Sequence, residues 1–284
     1  MLPFPTPDQT GWEASLRLGF AARDGATYVA RRVHRGPLVV QRAFFPEGRD
    51  VAHVYLLHPP GGFVGGDSVA LEVEVDPGAH ALITTPAAGK AYRSDGVRTA
   101  RVSQHLDVRD GATLEWFPQE TIVFDGARID LTTRVDLGAT GRFCGWEILC
   151  LGRAAAGETL VNGTCRQRFE LSRAGIPLVI DKTQLDGGGP LLAAPYGLGG
   201  KTVLGTMILS PVVGDLESVR LILTEFGATA SSETIVATVV DGALVCRYLG
   251  DSAERARRVF LQVWSALRPA LCGRPPRPPR IWLT

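Results

Sequence analysis

Three stretches of the chain alternate apolar and polar residues with a period of two, and each ends in a tight-turn sequence. The stretches are Val69–Val75, Ala100–Val108 and, more weakly, Ile129–Val135. A period of two places alternate side chains on opposite faces of a strand, so each stretch predicts a half-buried β-strand. All three end in the form V-x-x-G-A, where glycine supplies the positive φ of a tight turn. The chain is therefore predicted to stack strands through short turns into layered or coiled sheets.

Four earlier runs also predict strands: Trp12–Phe20, Thr27–Arg32, Leu38–Phe45 and Val51–Leu57. The glycine-rich segment 187–190 has strand patterns on both sides, so it is interpreted as a surface loop and not as a linker. We expect a single domain over residues 1–284, with an irregular proline-rich arm at 1–11 and an extended tail at 275–284.

Only two helices are predicted. The clearer one starts at residue 252, with Asp251 as its cap and Glu254 three residues later, and it carries an apolar stripe at helical spacing. Pro269 is expected to kink or end it. The second helix is short and lies near Asp215–Glu225, although the apolar residues of this segment fit a strand equally well.

The stretch from His58 to Ser94 opens with HPPGGFVGGD and closes with a small-residue segment ending in GKAYRS. The paired glycines shape a tight surface and leave Asp67 directly behind them. The glycines also fit a purely structural role, in which they only form a bulge and tight turns. The composition of the stretch favours a surface that holds a partner or conducts an ion over a reaction centre.

Motifs of nucleotide hydrolysis and nucleophilic catalysis are incomplete. Neither Gly89-Lys90 nor Gly200-Lys201-Thr202 completes a phosphate-binding loop, and no GxSxG sequence occurs. The five histidines are scattered without the spacing of a structural zinc site. Scattered imidazole and carboxylate groups are still able to make weak, transient contacts with nickel and other borderline ions, although a hydrogen-bonding role is the commoner one.

The net charge and the cysteine content limit which binding partners and which cellular compartment fit the chain. The formal net charge of +1 gives no global field for nucleic acid or an anionic membrane. Five cysteines without a CxxC motif indicate free thiols in a reducing compartment. The N-terminus lacks the features of a signal peptide, and no run approaches the ~20 apolar residues of a membrane helix, so we expect a cytoplasmic protein.

Five segments of the chain together resemble the urease accessory protein D family (UreD, also called UreH). They are HPPGGFVGGD (58–67), TTPAAGK (84–90) with YRS (92–94), LEWFPQETI (114–122), WEILCLGR (146–153) and PRIWLT (279–284). They follow the family's order across nearly the whole chain. One departure is the Ala-Ala-Gly at 87–89, where the family usually has Gly-Ala-Ser/Thr.

The resemblance implies a mostly β protein, with sheets in a helical, β-solenoid-like arrangement and two α-helices, one of them C-terminal. It implies a non-enzymatic scaffold for urease maturation that binds UreF, the GTPase UreG and the urease apoprotein within a symmetric hetero-oligomeric complex. It implies no tightly bound cofactor, only nickel in transit along an internal tunnel.

On this basis we expect four residues to contact nickel weakly: Asp67, His58, Glu120 and Glu147. A conducted ion needs ligands weak enough to release it, which scattered carboxylates provide better than a closed cage. Four others are expected to contact partners: Lys90, Tyr92, Arg93 and Trp282. Two alternatives stay open at this point. One is a β-rich metal-dependent enzyme that uses His58, Asp67 and Glu120, and the other is a plain structural β-solenoid.

Overall fold

A computed structural model describes residues 11–227 and 232–283 of the chain. The arm predicted at 1–11 lies outside the described residues except for Gly11. Within the described part, no helix is both long enough and apolar enough to span a membrane.

Seventeen strands, numbered in chain order, make up most of the structure. They are β1 Glu13–Arg23, β2 Ala26–Arg35, β3 Val39–Phe44, β4 Val51–Leu57, β5 Ser68–Val75, β6 His80–Thr84, β7 Gly89–Ala91, β8 Ala100–Val108, β9 Thr113–Phe117, β10 Thr121–Val123, β11 Arg128–Leu137, β12 Arg142–Leu151, β13 Thr164–Arg173, β14 Ile176–Asp186, β15 Val203–Ser210, β16 Thr234–Val240 and β17 Ala243–Gly250. The seven strands predicted from apolar runs and alternation are confirmed, each within a few residues.

The strands form two sheets that face each other. The first has the order β14-β13-β11-β8-β5-β1-β2, and the main path of the second is β16-β17-β15-β12-β9-β6-β4-β3. In the centre of both sheets the pairs are parallel, as between β5 and β8 and between β6 and β9. From β4 to β13 the chain passes back and forth between the two sheets, so the backbone coils through about four turns of a β-solenoid. The predicted helical arrangement of sheets is confirmed.

The repeated turn sequence keeps the coils in register. Val75 of β5 lies beside Val108 of β8, and the glycine of each following turn has a positive φ. The third copy of the motif is offset by two residues from this register, because Val108 pairs with Leu137 and not with Val135. A shorter sequence of similar form, Val240-Asp-Gly-Ala243, makes the two-residue turn of the β16–β17 hairpin.

The inward residues of both sheets form the hydrophobic core of the solenoid, which includes Leu16, Val73 and Leu106 from the first sheet and Val54 and Trp116 from the second. Ile129 and Leu149 belong to a separate, smaller group of inward residues in the later coils. Strands β6 and β9 are buried at every position. They are covered on both faces, because a second apolar cluster packs the outer side of this sheet against the helices.

Three α-helices occur in the described residues: α1 Pro190–Ala193, α2 Leu216–Gly227 and α3 Ala253–Cys272. The cap predicted for the C-terminal helix is wrong, because the side chain of Ser252 accepts the hydrogen bond from the Arg255 amide while Asp251 pairs with Lys201. Helix α3 continues through Pro269 and ends at Gly273, whose φ is 68°. The tail is irregular up to residue 279, and Arg280–Leu283 then forms a short 3-10 helix.

Candidate functional site

The glycine-rich loop between β4 and β5 is folded by close backbone approach. A Cβ added at Gly62 would lie 2.4 Å from the ring of Tyr92 and 2.6 Å from the carbonyl oxygen of Lys90. Asp67 closes the loop, because its carboxylate accepts the backbone N–H groups of Val64 at 2.8 Å and Trp12 at 2.9 Å. Its side chain is buried. Asp67 therefore holds the shape of the loop, with both oxygens engaged by the backbone.

His58 lies at the entrance to this loop and packs its ring against Phe63, with 5.1 Å between ring centroids. Burial lowers the pKa of His58, and the nearby negative charge of Asp67 opposes that lowering. A neutral imidazole at physiological pH keeps a nitrogen lone pair that can bind a metal ion. His58 is thus the better-placed donor of the two residues that the sequence singled out in this loop.

Between the two sheets the core leaves a cavity of about 200 Å³, which His58 helps to line. One wall comes from the loop (Gly62, Phe63) and the small-residue segment (Thr85, Ala87). The opposite wall includes the inward side chain of Gln104 on β8. The small residues of the loop and of the segment 85–89 leave this space open, because they fill little of the gap between the sheets.

Two further cavities continue from the first along the interior. A cavity of about 110 Å³ shares six lining residues with it, namely Phe63, Thr85, Gly89, Val102, Gln104 and Pro118. A third, of about 10 Å³, shares Glu147 and Gln167 with the second. The three cavities therefore lie next to one another between the sheets, and Glu147 lines both the second cavity and the third, which is the smallest of the three.

Glu147 is held by neutral donors. The hydroxyl of Thr133 donates to Oε1 at 2.5 Å, the amide of Gln167 donates to Oε2 at 2.7 Å, and Gln104 donates to Thr133 in turn. Part of the Glu147 side chain is accessible because it borders the cavities, while the carboxyl group itself lies deep in the protein. Burial raises its pKa, and the hydrogen bonds only partly offset that effect. No positive side chain pairs with Glu147 among the described residues, so the carboxylate is free to attract a cation.

Beyond Glu147 the passage reaches the side of the molecule where β14 faces β15. Asp181 and Thr206 line the third cavity there, and Asp181 pairs with the exposed Arg247 at 2.9 Å. Two carboxylates thus border the third cavity. Glu147 has no cationic partner among the described residues, and Asp181 is paired with Arg247.

Glu120, the fourth predicted metal contact, lies beside this passage and not in its lining. Its carboxylate pairs with Arg257 of helix α3 at 2.9 Å, and the neighbouring Gln119, which does line the second cavity, accepts from the same guanidinium. The structure therefore brings His58 and Glu147 to one connected cavity system. It gives Asp67 and Glu120 separate, local partners.

The four predicted partner contacts are also engaged within the chain. Lys90 lies on β7 and borders the first cavity. The ring of Tyr92 meets Phe124 edge-on, and the largely exposed guanidinium of Arg93 pairs with Asp125 at 2.9 Å. The indole of Trp282 donates to the Thr84 hydroxyl at 2.9 Å. Trp282 also packs against Phe117 and Trp146, which fixes the C-terminal tail to the second sheet.

A buried charge cluster that was not predicted lies beneath helix α3 and consists of Glu47, His53, His80, Glu115 and Arg268. The Arg268 guanidinium is fully buried and donates to Glu47 and to Glu115 at 2.6–3.0 Å. His53 contacts Glu47 at 2.7 Å and His80 contacts Glu115 at 3.0 Å. The only available signal was a glutamate within an otherwise apolar strand, TLEWF, which must find a buried partner.

One group of three possible metal donors lies close together in the described part of the chain. The donor atoms of His80, Glu115 and Cys272 lie within 4.8 Å of one another. Both oxygens of Glu115 already accept two hydrogen bonds each, from Trp264, His80 and Arg268. Burial raises the pKa of the Cys272 thiol to about 12. With a protonated thiol and the positive charge of Arg268 alongside, this group is suited to holding the helix and not to holding a cation.

Comparison with known proteins gives one consistent result. Residues 13–283 match the family model described as UreD urease accessory protein. The urease accessory protein UreD of Dechloromonas aromatica (strain RCB) is 46% identical over 292 residues, which cover 100% of this chain and 99% of that protein. UreD of Azoarcus sp. (strain BH72) is 46% identical over 279 residues, covering 97% and 95%. UreD of Alkalilimnicola ehrlichii is 42% identical over 288 residues, covering 99% and 95%.

Proposed function

The chain belongs to the family of UreD urease accessory proteins, and from that premise we propose that it is a scaffold that guides nickel into the urease apoprotein. The family acts in urease maturation, consists of accessory proteins that are not enzymes, and associates with the urease assembly machinery. The alternative of a metal-dependent enzyme built on His58, Asp67 and Glu120 is therefore wrong. Nickel is a cargo in this proposal, and no resident cofactor is required.

The observation that supports the proposal is the run of neighbouring cavities between the two sheets, which share lining residues, with Glu147 bordering the two inner ones. An ion that travels through a protein needs donors that replace some of its hydration shell without holding it. Amide and hydroxyl side chains from Gln104, Thr133 and Gln167 offer such weak contacts. The carboxylate of Glu147 adds electrostatic attraction for the cation where the second and third cavities meet its side chain.

The predicted nickel contacts take different parts in this proposal. We assign His58 to the entrance, because its imidazole borders the first cavity, and Glu147 to the centre. We retain Asp67 and Glu120 as weaker contacts beside the path. Asp67 would act mainly by keeping the glycine-rich loop, and with it the position of His58, in place.

The proposed partners are UreF, UreG and the urease apoprotein, assembled with this chain into a symmetric complex in the cytoplasm. Lys90 lines the first cavity, and Tyr92 and Arg93 follow it closely in the chain, so a partner docked on this segment would meet the proposed nickel path. Trp282 would contribute by fixing the tail against the second sheet and so presenting the surface of helix α3.

The direct experiment replaces Glu147 by glutamine and measures the nickel content of urease matured with the variant. The charge is removed while the size is kept, and the amide oxygen can still accept one of the two hydrogen bonds that Glu147 accepts, so we expect complexes of normal composition and a marked loss of nickel in urease. Glu72→Gln is the matched control, because this exposed glutamate on the outer face of β5 pairs with Arg17 and is remote from the cavities. Full nickel loading with Glu147→Gln would refute its role in the path.

A further inference from the structure

The two sheets end at the same side of the molecule and leave an open pocket there. Strand β2 is the last strand of the first sheet and pairs only with β1, while β3 is the last strand of the second and pairs only with β4. Between them lies a cavity of about 370 Å³, lined by Val29, Arg32, Val40, Arg42, Ala43 and Val54. The nickel path proposed above has no lining residue in common with this pocket.

A β-bulge on each edge strand places an arginine at the rim of this pocket. The register of β1 and β2 shifts so that Val29 pairs with Phe20 and Arg32 pairs with Leu18. Leu18 and Phe20 are buried alternate residues, so Val29 and Arg32 share the core-facing side of the sheet. Strand β3 has its own register shift, between Val40 and Ala43, and Arg42 lies within it. Bulges of this kind re-aim side chains and often border functional sites.

The two rim arginines lack a carboxylate partner among the residues that the structure describes. Arg32 donates to the carbonyl oxygen of Gln41 at 2.6 Å, and the guanidinium of Arg42 lies 4.8 Å from the centre of the Phe44 ring. Their neighbours on β2 differ, because Arg31 pairs with Glu74 and Arg35 pairs with Glu13. Arg32 and Arg42 therefore bring to this pocket positive charge that no carboxylate of the described residues neutralises.

The floor of the pocket is apolar and comes from Val29, Val40 and Val54. A concave apolar site with a few convergent polar groups fits a side chain inserted from outside. The free edges of β2 and β3 add unpaired backbone N–H and C=O groups, which an extended peptide can pair with and a small anion cannot use in register. Both features select a protein segment over a free phosphate or carboxylate.

We propose that this pocket docks an acidic segment of a partner protein, with one apolar side chain seated on Val29, Val40 and Val54 and flanking carboxylates on Arg32 and Arg42. The apolar residue supplies the burial, and the two arginines select acidic neighbours and set the register of the segment. Binding here is independent of the nickel path, so this proposal stands or falls separately from the proposed function.

The test uses the full chain with labelled methyl groups and an acetylated pentapeptide in which one leucine stands between two pairs of glutamates. We expect peptide-induced shifts in the methyl resonances of Val29, Val40, Ala43 and Val54. The double variant Arg32→Gln/Arg42→Gln should bind the peptide roughly tenfold more weakly. A peptide with alanine in place of leucine should lose the shifts.

The matched control is Arg31→Gln/Arg35→Gln, which removes the same amount of charge, here from strand β2 alone, at positions that are already neutralised. It should change the affinity by less than about twofold. Equal weakening by both double variants would reduce the effect to a general electrostatic field and overturn the proposal. Shifts elsewhere, or none, would overturn it too. If the same methyl groups shift with protein concentration alone and sedimentation shows a dimer, the pocket is covered by a second copy and the proposal is wrong.

Discussion

Replacing Arg268 by methionine should cost the protein more stability than any other single arginine substitution discussed here. The guanidinium is fully buried and makes hydrogen bonds of 2.6–3.0 Å to Glu47 and Glu115, whose side chains are 4% and 0% exposed. Removing it leaves two buried carboxylates without their cation. Breaking a buried ion pair from one side typically costs about 3–5 kcal/mol. For a chain of this size that corresponds to a fall in Tm of roughly 10 °C.

The stability loss caused by Arg268→Met should also depend on pH, in a direction that the pKa values of Glu47 and Glu115 determine. Burial alone would raise the pKa of Glu115, but contacts with His80 and Arg268 outweigh it and hold the pKa at about 2, and Glu47 is likewise lowered to about 2. The stability from these depressed carboxyl groups is present above the ordinary glutamate pKa of 4.5 and is lost as pH falls toward 2. In Arg268→Met the unpaired carboxyls take up protons at higher pH. The difference between variant and wild type should therefore shrink as pH falls from 7 to 4.

Urea unfolding at several pH values measures both effects. Arg258→Met is the control on the same helix, because Arg258 is exposed and pairs only with the exposed Glu254. It should change the free energy of unfolding by less than about 0.5 kcal/mol. A loss below about 1 kcal/mol for Arg268→Met, or one that does not vary with pH, would refute the assignment of the cluster as a buried charge lock.

Three further predictions concern single residues. Glu147→Gln should raise Tm at pH 7, because burial disfavours the ionised carboxylate that the amide replaces. The gain should vanish at pH 4, where the carboxyl group is largely protonated in the folded and the unfolded protein, and thermal melts at the two pH values check this. Trp282→Ala should destabilise the protein by about 2 kcal/mol through lost aromatic packing, whereas Tyr196→Ala, at an 81% exposed aromatic, should be nearly neutral in the same melts. Ser252→Ala should cost about 1 kcal/mol in urea unfolding as the cap of α3, and a larger loss from Asp251→Ala would contradict that cap.

The sequence predicted those parts of the fold that leave a local periodic pattern. Strands β5 and β8 have one face on the core and one in solvent, so alternation revealed them within a residue. Strand β9 was not predicted, because the core covers one face and the helices cover the other, which removes alternation. The glycine turns were visible, but the position of the third turn was not, because register depends on pairing between coils.

The candidate site was less accessible from the sequence. Motif resemblance singled out His58 and Glu147 separately, but the cavities that connect them exist only because the inward residues of two sheets leave a gap. Asp67 looked like a metal ligand, since it follows a glycine-rich loop, yet its oxygens bind the backbone of that same loop. The burial of Arg268 has no signature in the sequence, because it results from the packing of α3 against the second sheet.

The central claim, that nickel passes between the sheets, is tested most directly by a neutral obstruction. Gly89 lines both the first and the second cavity, and a Cβ there meets its nearest neighbours, Thr121 and Phe63, at 3.4 and 3.7 Å. Gly89→Leu should therefore fold normally and fill the passage without changing any charge. Gly227→Leu, at the end of α2 with open space around its Cβ, is the control.

The measurement is the metal content of urease purified from cells that carry each variant, together with the composition of the maturation complex. The account predicts intact complexes in both cases, nickel-poor urease with Gly89→Leu and fully loaded urease with Gly227→Leu. Fully loaded urease with Gly89→Leu, in a protein shown to be folded, would contradict the interior route.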